Sequence, residues 1–188
     1  MRIIAGTWKG HSLKAAKGLK TRPTADKVKG AIFNILGSKV QGAEVLDLFA
    51  GTGSLSFEAL SRGAQNATLV EKDISAARTV IKNIELLNAE KKVKLWQMDV
   101  YTFLTNHSDQ NKYDLIFIDP PYYQQIVPKI LEYLRNNTIL SPNGVIIIET
   151  AADEVLPEDI YPLQLMIVKK YGSTKIWFIQ QAQKTEEG

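Results

Sequence analysis

Cysteine is absent from this 188-residue chain. That excludes disulfides, cysteine-ligated zinc and any thiol nucleophile, and it accords with a reducing, cytoplasmic setting. Histidine is scarce: His11 and His107 stand alone, with no ligand spacing around either, so no metal site is expected. Long apolar runs are missing as well. Stretches such as Val145–Ile148 are strand-sized and far short of a membrane span. The opening Met1-Arg2-Ile3-Ile4-Ala5-Gly6 meets Trp8 and Lys9 at once, which is not the pattern of a secretory signal. With 45% hydrophobic and 23% charged residues, the composition is that of an ordinary globular protein. The length suits one domain with a substantial core, and a monomer is the default expectation.

Acid is also scarce at one end. Residues 1–30 hold eight basic residues against the single acid Asp26, a net of +7, whereas the rest of the chain carries −4. A basic extension on a mildly acidic body is an electrostatic signature of nucleic-acid binding. Trp8, Gly6 and Gly10 interrupt the charges as an ordered hairpin would.

Beyond this extension the pattern alternates between strand and helix. Thr24 can cap a helix running to Leu36, with Gly37 ending it. Strands are expected over 45–50, 67–71, 93–98, 113–119 and 144–149. Helices are expected over 54–62, 75–88 and 124–136, with a short one after Met98. In the second of these helices Ala77, Val80, Ile81 and Ile84 are the expected inward positions. Such β-α-β repetition means a largely parallel sheet with helices on both faces. The tail differs, because strand-like 163–170 and 175–181 are separated only by Tyr171-Gly172-Ser173-Thr174. So short a link requires an antiparallel hairpin. The expected division is a basic hairpin or extension over 1–22, the main domain over 23–182 and a polar tail over 183–188.

The chemistry gathers at strand ends. Asp119-Pro120-Pro121-Tyr122 follows the apolar strand Leu115–Ile118, at the edge where open α/β sheets bind ligands. Two prolines make that backbone stiff and are expected to leave it exposed. The Asp119 carboxylate and the Pro120 carbonyl can accept the two hydrogens of an exocyclic amine, while Tyr122 stacks on its ring. At the first strand-to-helix turn, Asp47-Leu48-Phe49-Ala50-Gly51-Thr52-Gly53 lets the backbone approach a ligand closely. A dinucleotide fingerprint would want a third glycine where this chain has Ser56. Glu71 ends the second strand, where an acid can take ribose hydroxyls, and Asp99 ends the third, placed to accept from an adenine amine. Acids thus finish four successive strands. Such an edge repels the pyrophosphate of NAD but suits S-adenosylmethionine, which carries a sulfonium and an ammonium and no phosphate.

The turn Asp47–Gly53 and the run Asp119–Tyr122 resemble the motifs of class I S-adenosylmethionine-dependent methyltransferases that act on exocyclic amines. More narrowly, the sequence is similar to the bacterial enzymes that methylate guanine N2 in small-subunit (16S) ribosomal RNA. That likeness rests on Arg22-Pro23-Thr24, Phe33-Asn34-Ile35-Leu36, Leu46–Gly53, Glu58–Ala64 and Asp119–Tyr122, and it extends from Ile3 to Gly172. The resemblance implies a Rossmann-like sheet whose last strand is reversed, matching the C-terminal hairpin. It implies Asp119, Pro120 and Tyr122 as catalytic residues, and Asp47, Phe49, Gly51, Gly53, Glu71 and Asp99 around the cofactor. It also implies that Arg22 and Thr24 fold over the cofactor's methionine end. The partner would be small-subunit ribosomal RNA or a particle containing it, with Arg2, Lys9, Lys14, Lys17 and Lys20 on its phosphates. Three rivals stay open: adenine-N6 methylation of RNA or DNA, an NAD-dependent oxidoreductase, and an RNA-binding module that has lost its activity. Cytosine-C5 methylation, which uses a cysteine nucleophile, is excluded by composition.

Overall fold

Leu115, Ile116, Phe117 and Ile118 are consecutive, and all four side chains are buried. A run of this kind needs cover on both faces, which a sheet between two helical layers supplies. The computed structural model has that form; it describes residues 1–15, 23–107, 112–137 and 139–182, with the side chains of 23–25 excepted. In chain order the elements are α1 (Pro23–Leu36), β1 (Glu44–Asp47), α2 (Ser54–Ser61), β2 (Asn66–Val70), α3 (Ile74–Leu87) and β3 (Val93–Trp96). There follow α4 (Val100–His107), β4 (Tyr113–Ile118), α5 (Ile126–Asn136), β5 (Leu140–Ala151), β6 (Leu163–Tyr171) and β7 (Thr174–Gln181).

The strands lie in the order β3-β2-β1-β4-β5-β7-β6. The first five are parallel, and β7 runs antiparallel between β5 and β6. This is the expected class I methyltransferase sheet, mostly parallel with an antiparallel hairpin at its C-terminal end. Alternation divides the core in two. Val45, Leu115, Phe117, Val145 and Ile147 pack with α1, α2 and α3. Leu46, Ile116, Ile118, Ile146 and Ile148 pack with α4 and α5 on the other face.

Several expectations need correction. Ile81 is 46% exposed. The inward stripe of α3 runs instead through Ala77, Val80, Asn83 and Leu87, and the polar Asn83 holds its place through hydrogen bonds described below. The fifth strand starts at Leu140 rather than Gly144. The register slips from Tyr113↔Leu140 to Leu115↔Val145, so the Pro142-Asn143-Gly144 stretch is absorbed as an irregularity and does not end the strand. Of the proline pair only Pro121 is exposed, since Pro120 is buried behind it. The C-terminal hairpin turns on Gly172-Ser173 alone, with Gly172 at φ 60 and Tyr171 paired to Thr174. A second irregularity, between Leu165 and Ile167, lies on the outer strand β6.

The N-terminal hairpin is docked on α1, α2 and α3. Arg2 bridges antiparallel to Ser12, and Ile3 and Leu13 belong to the core of the α1–α3 face. Gly6 permits the approach: a Cβ there would lie 1.7 Å from the Ser61 carbonyl oxygen, and its φ is 84. The hairpin is held by Ser61, which bonds to Ala5, Thr7 and Trp8, and by Glu58, which is fully buried in α2. Glu58 accepts the N–H groups of Ile4 (2.8 Å) and Ala5 (3.1 Å) and the Nε–H of Arg62 (2.8 Å). Lys29 of α1 lies 3.4 Å from the same carboxylate and donates to the Arg2 carbonyl (2.7 Å) and to Ser54 Oγ (3.2 Å). Burial lowers the Lys29 pKa, partly offset by Glu58.

Removing Glu58 strands a buried cation and two backbone donors. Glu58→Ala is therefore expected to cost about 3–5 kcal/mol in urea unfolding. Arg2→Ala, which breaks only the exposed 3.4 Å pair with Asp26, is expected to cost less than about 1 kcal/mol.

Candidate active site

Five parallel strands present their carboxyl ends along one edge, where Asp99, Glu71, Asp47, Asp119 and Glu149 follow one another in sheet order. A cavity of about 680 Å³ opens on this edge, lined among others by Asp47, Phe49, Gly51, Glu71, Asp99, Asp119 and Pro120. A smaller cavity of about 250 Å³ is lined by Asp119, Tyr122, Glu149, Ser173 and Thr174, with Val28, Lys29 and Ile32 of α1. Met1, Ser54, Leu55 and Asp119 belong to both walls. The strand order reverses between β1 and β4, which is where such sheets bind ligands.

The β1–α2 turn depends on its glycines. Gly53 has φ 80, and a Cβ there would lie 2.4 Å from the Phe57 ring. Gly51 has φ 55 and open space where a Cβ would point. Its N–H donates to Glu71 Oε2 (2.8 Å), and the Asp73 N–H donates to Oε1 (2.7 Å). Glu71 is thus strapped by two backbone donors while each oxygen keeps a further lone pair. Asp99 accepts the Tyr101 N–H at Oδ1 (2.9 Å), so it caps α4 as well as lining the cavity.

Asp47 is only 2% exposed. Ser56 Oγ donates to its Oδ2 (2.8 Å), whereas Oδ1 is buried with no hydrogen-bond partner of good geometry among the described residues. Burial raises its pKa from 3.8 to about 6, against the Ser56 hydrogen bond and a weaker one from the Phe49 backbone. The residue that departs from the dinucleotide fingerprint is therefore the one that orients this carboxylate.

Asp119 is exposed to the cleft and lines both cavities. No described residue donates a hydrogen bond to its carboxylate, which leaves it available. Burial within the fold, then Glu149 and Asp47 nearby, hold its pKa well above the usual carboxylate range. Ile118 pairs with Ile148 in the parallel register of β4 and β5, so Asp119 and Glu149 emerge side by side. Glu149 is itself raised by burial, against the hydrogen bond from Tyr122. The Tyr122 hydroxyl donates to Glu149 Oε1 (2.8 Å) and lies 3.2 Å from Thr174 Oγ1. Burial holds the Tyr122 pKa above its ordinary value.

Glu149 and Thr174 are site residues that the sequence reading passed over. The signal for Glu149 was present, since it follows Ile146-Ile147-Ile148 as Asp119 follows its own apolar strand. Arg2, Lys9 and Lys14 are exposed on the docked hairpin. Lys17, Lys20, Arg22 and the Thr24 side chain lie outside the described residues. Asn83 binds the main chain of Lys14 in both directions (2.7 and 3.2 Å) and donates to the Thr52 carbonyl (3.0 Å), so the hairpin's end is tied to the glycine turn. Among the described residues no helix is long and apolar enough to cross a membrane.

The family model described as conserved hypothetical protein 95 matches residues 1–180. The chain is 37% identical over 157 residues to ribosomal RNA small subunit methyltransferase D of Haemophilus influenzae, covering 83% of this chain and 81% of that one. It is 38% identical over 177 residues to YlbH of Bacillus subtilis, which carries an rRNA-methyltransferase name; 94% of this chain and 96% of YlbH are covered. Among solved structures, yhhF of Escherichia coli, which carries a methyltransferase name, superposes with a TM-score of 0.87 at 33% identity, over 97% and 99% of the two chains. The Thermus thermophilus 16S rRNA N2 G1207 methyltransferase, solved with AdoMet and guanosine, shares the fold at a TM-score of 0.66 and 24% identity, over 88% of this chain and 44% of that one.

Because the folded pKa of Asp47 exceeds its unfolded one, the folded state holds the extra proton between them. Stability from this group is full below pH 3.8 and is lost as pH rises through about 6. Relative to Asp47→Asn, the wild-type protein without ligand should therefore lose up to about 3 kcal/mol between pH 4 and 7. Thermal unfolding of the two proteins across that range measures it; parallel pH profiles would contradict a buried, titrating Asp47.

Proposed function

The chain belongs to the conserved hypothetical protein 95 family, and from that premise we propose that it transfers a methyl group from S-adenosylmethionine to the exocyclic N2 amine of a guanine in small-subunit ribosomal RNA. The names of its relatives support ribosomal RNA as the substrate. The observation that carries the chemistry is Asp119, an available carboxylate in the wall common to two cavities.

The larger cavity is assigned to the cofactor, and its donor set fits. The unpartnered Oδ1 of Asp47 suits the ammonium, Glu71 the ribose hydroxyls and Asp99 the adenine amine. The open space over Gly51 admits a ligand against the backbone. Phe49, Gly51 and Thr52 belong to the wall as well, Gly53 shapes the turn from behind, packed on Phe57, and Arg22 and Thr24 are assigned to the methionine end.

When bound, S-adenosylmethionine supplies an electrophilic methyl group. The target amine is a poor nucleophile because its lone pair is delocalised into the ring. Asp119 and the Pro120 carbonyl each accept one N–H, which favours a pyramidal nitrogen and aims its lone pair toward the larger cavity. Positioning and preorganised electrostatics make up most of the catalytic effect. As the N–C bond forms and the S–C bond breaks, the nitrogen sheds a proton, and the raised basicity of Asp119 suits it to take that proton. Tyr122 offers its ring to the unstacked base while its hydroxyl stays anchored on Glu149. The basic extension, through Arg2, Lys9, Lys14, Lys17 and Lys20, holds phosphates. Such an enzyme works in the cytoplasm, as a monomer, on the ribosomal RNA or a particle that contains it.

The test is methyl transfer from labelled S-adenosylmethionine to small subunits lacking this modification, followed by digestion to nucleosides. N2-methylguanosine is the expected product; N6-methyladenine would keep the site and discard the substrate. Asp119→Ala should lower turnover by about a hundredfold or more while cofactor binding survives. RNA affinity should fall with salt at a log–log slope of about −3 to −5, the value for about four to six engaged charges. A flat response would remove the extension from RNA binding.

A further inference from the structure

Glu149 takes no direct part in the proposed transfer, yet it stands beside Asp119 in the smaller cavity. One of its oxygens is fixed by Tyr122 at 2.8 Å, and no described residue donates to the other. The cavity wall divides between apolar residues, Val28, Ile32 and Leu55, and polar ones, among them Asp26, Asp119, Tyr122, Glu149 and Thr174. That division suits a flat heterocycle with hydrogen-bonding groups along a single edge. Lys29 in the wall is already committed to Glu58, the Arg2 carbonyl and Ser54, and Asp26, which also lines the cavity, pairs with Arg2 at 3.4 Å, so Asp119 and Glu149 are the carboxylates left to face a base.

Building on the methyl-transfer reading, we propose that Glu149 selects the base: its carboxylate accepts the N1–H of guanine while Asp119 and the Pro120 carbonyl hold the N2 amine. Guanine presents N1–H and N2–H₂ as neighbouring donors. Adenine presents its N6 amine beside N1, which is a bare lone pair. An ionised carboxylate can only accept. Two adjacent carboxylates therefore complement guanine, and they set adenine's N1 against a like partner with neither able to donate. Rejection of that kind is strong, because a buried acceptor is left unpaired in the wrong complex. In the empty pocket burial and then Glu149 raise Asp119's hold on a proton, and burial raises Glu149's. The selective state is the ionised one, in which both carboxylates have shed their protons and guanine's donors take their place. Tyr122 fixes which oxygen of Glu149 faces the base, and Thr174 steadies the phenol.

2-Aminopurine tests this directly, because it keeps the N2 amine and carries a lone pair at N1. Once the methylated position has been mapped, RNA would be prepared with guanine or 2-aminopurine there. For the wild-type enzyme, kcat/KM should fall about 10- to 100-fold on 2-aminopurine. Glu149→Gln, whose amide can donate to N1 as well as accept from it, should lower the guanine rate and erase most of that preference. Equal wild-type rates on the two bases would overturn the proposal without reference to any variant. So would an unchanged preference in a Glu149→Gln protein that folds and binds cofactor normally, since a merely structural role leaves the ratio alone. No transfer to guanine by the wild-type enzyme would overturn the methyl-transfer reading itself, and that result is seen before any base is replaced.

Discussion

A single buried carboxylate holds the parts of this protein in relation to one another. Glu58 draws two backbone N–H groups from the hairpin, a guanidinium from its own helix and an ammonium from α1. Desolvating such a cluster is costly, and the cost is recovered only when every partner is in place. The hairpin, α1 and α2 are therefore interlocked. Ser54, the first residue of α2, is bonded to Lys29 of that cluster and lines both cavities. Asn83 adds a second tie, joining the end of the hairpin to the glycine turn. The basic face and the ligand cleft thus keep a fixed separation.

Five carboxylates stand on one edge of the sheet. Parallel strands in near register bring them together, and their surroundings then make them different. Asp47 is buried against Ser56, Glu71 is strapped by two loops, and Asp99 caps a helix. Asp119 has no donor among the described residues, and Glu149 is half-satisfied by a phenol. Identical chemistry in the sequence becomes a graded set of acceptors only once the loops have closed around it.

The sheet, its hairpin and four of the five acids were legible from the chain, because each follows from local periodicity and short connections. Glu149 carried the same local signal, an acid after an apolar strand, but its partner Tyr122 lies 27 residues away, and nothing local shows that the two share a cavity. The Glu58–Lys29 pair was hidden for a different reason: its donors come from positions as far as 54 residues away in sequence, and nothing local marks a charge as buried. Asn83 and Ile81 show the same limit in miniature. Helical spacing favoured the isoleucine, but an amide with three long-range hydrogen bonds took the inward place. At Pro142-Asn143-Gly144 the residues that ordinarily break a strand are accommodated by a slip in register.

The row of acids also bears on what leaves the cleft. On the proposed reading, the cofactor enters with a sulfonium and departs with that sulfur as an uncharged thioether, having lost the positive charge nearest to Asp119 while keeping the ammonium assigned to Asp47. A negatively lined cavity holds the first more firmly than the second. The same carboxylates that gather the donor thus loosen their grip once its methyl group is gone, so the electrostatics of the strand edge favour exchange of spent for fresh cofactor and limit inhibition by the by-product.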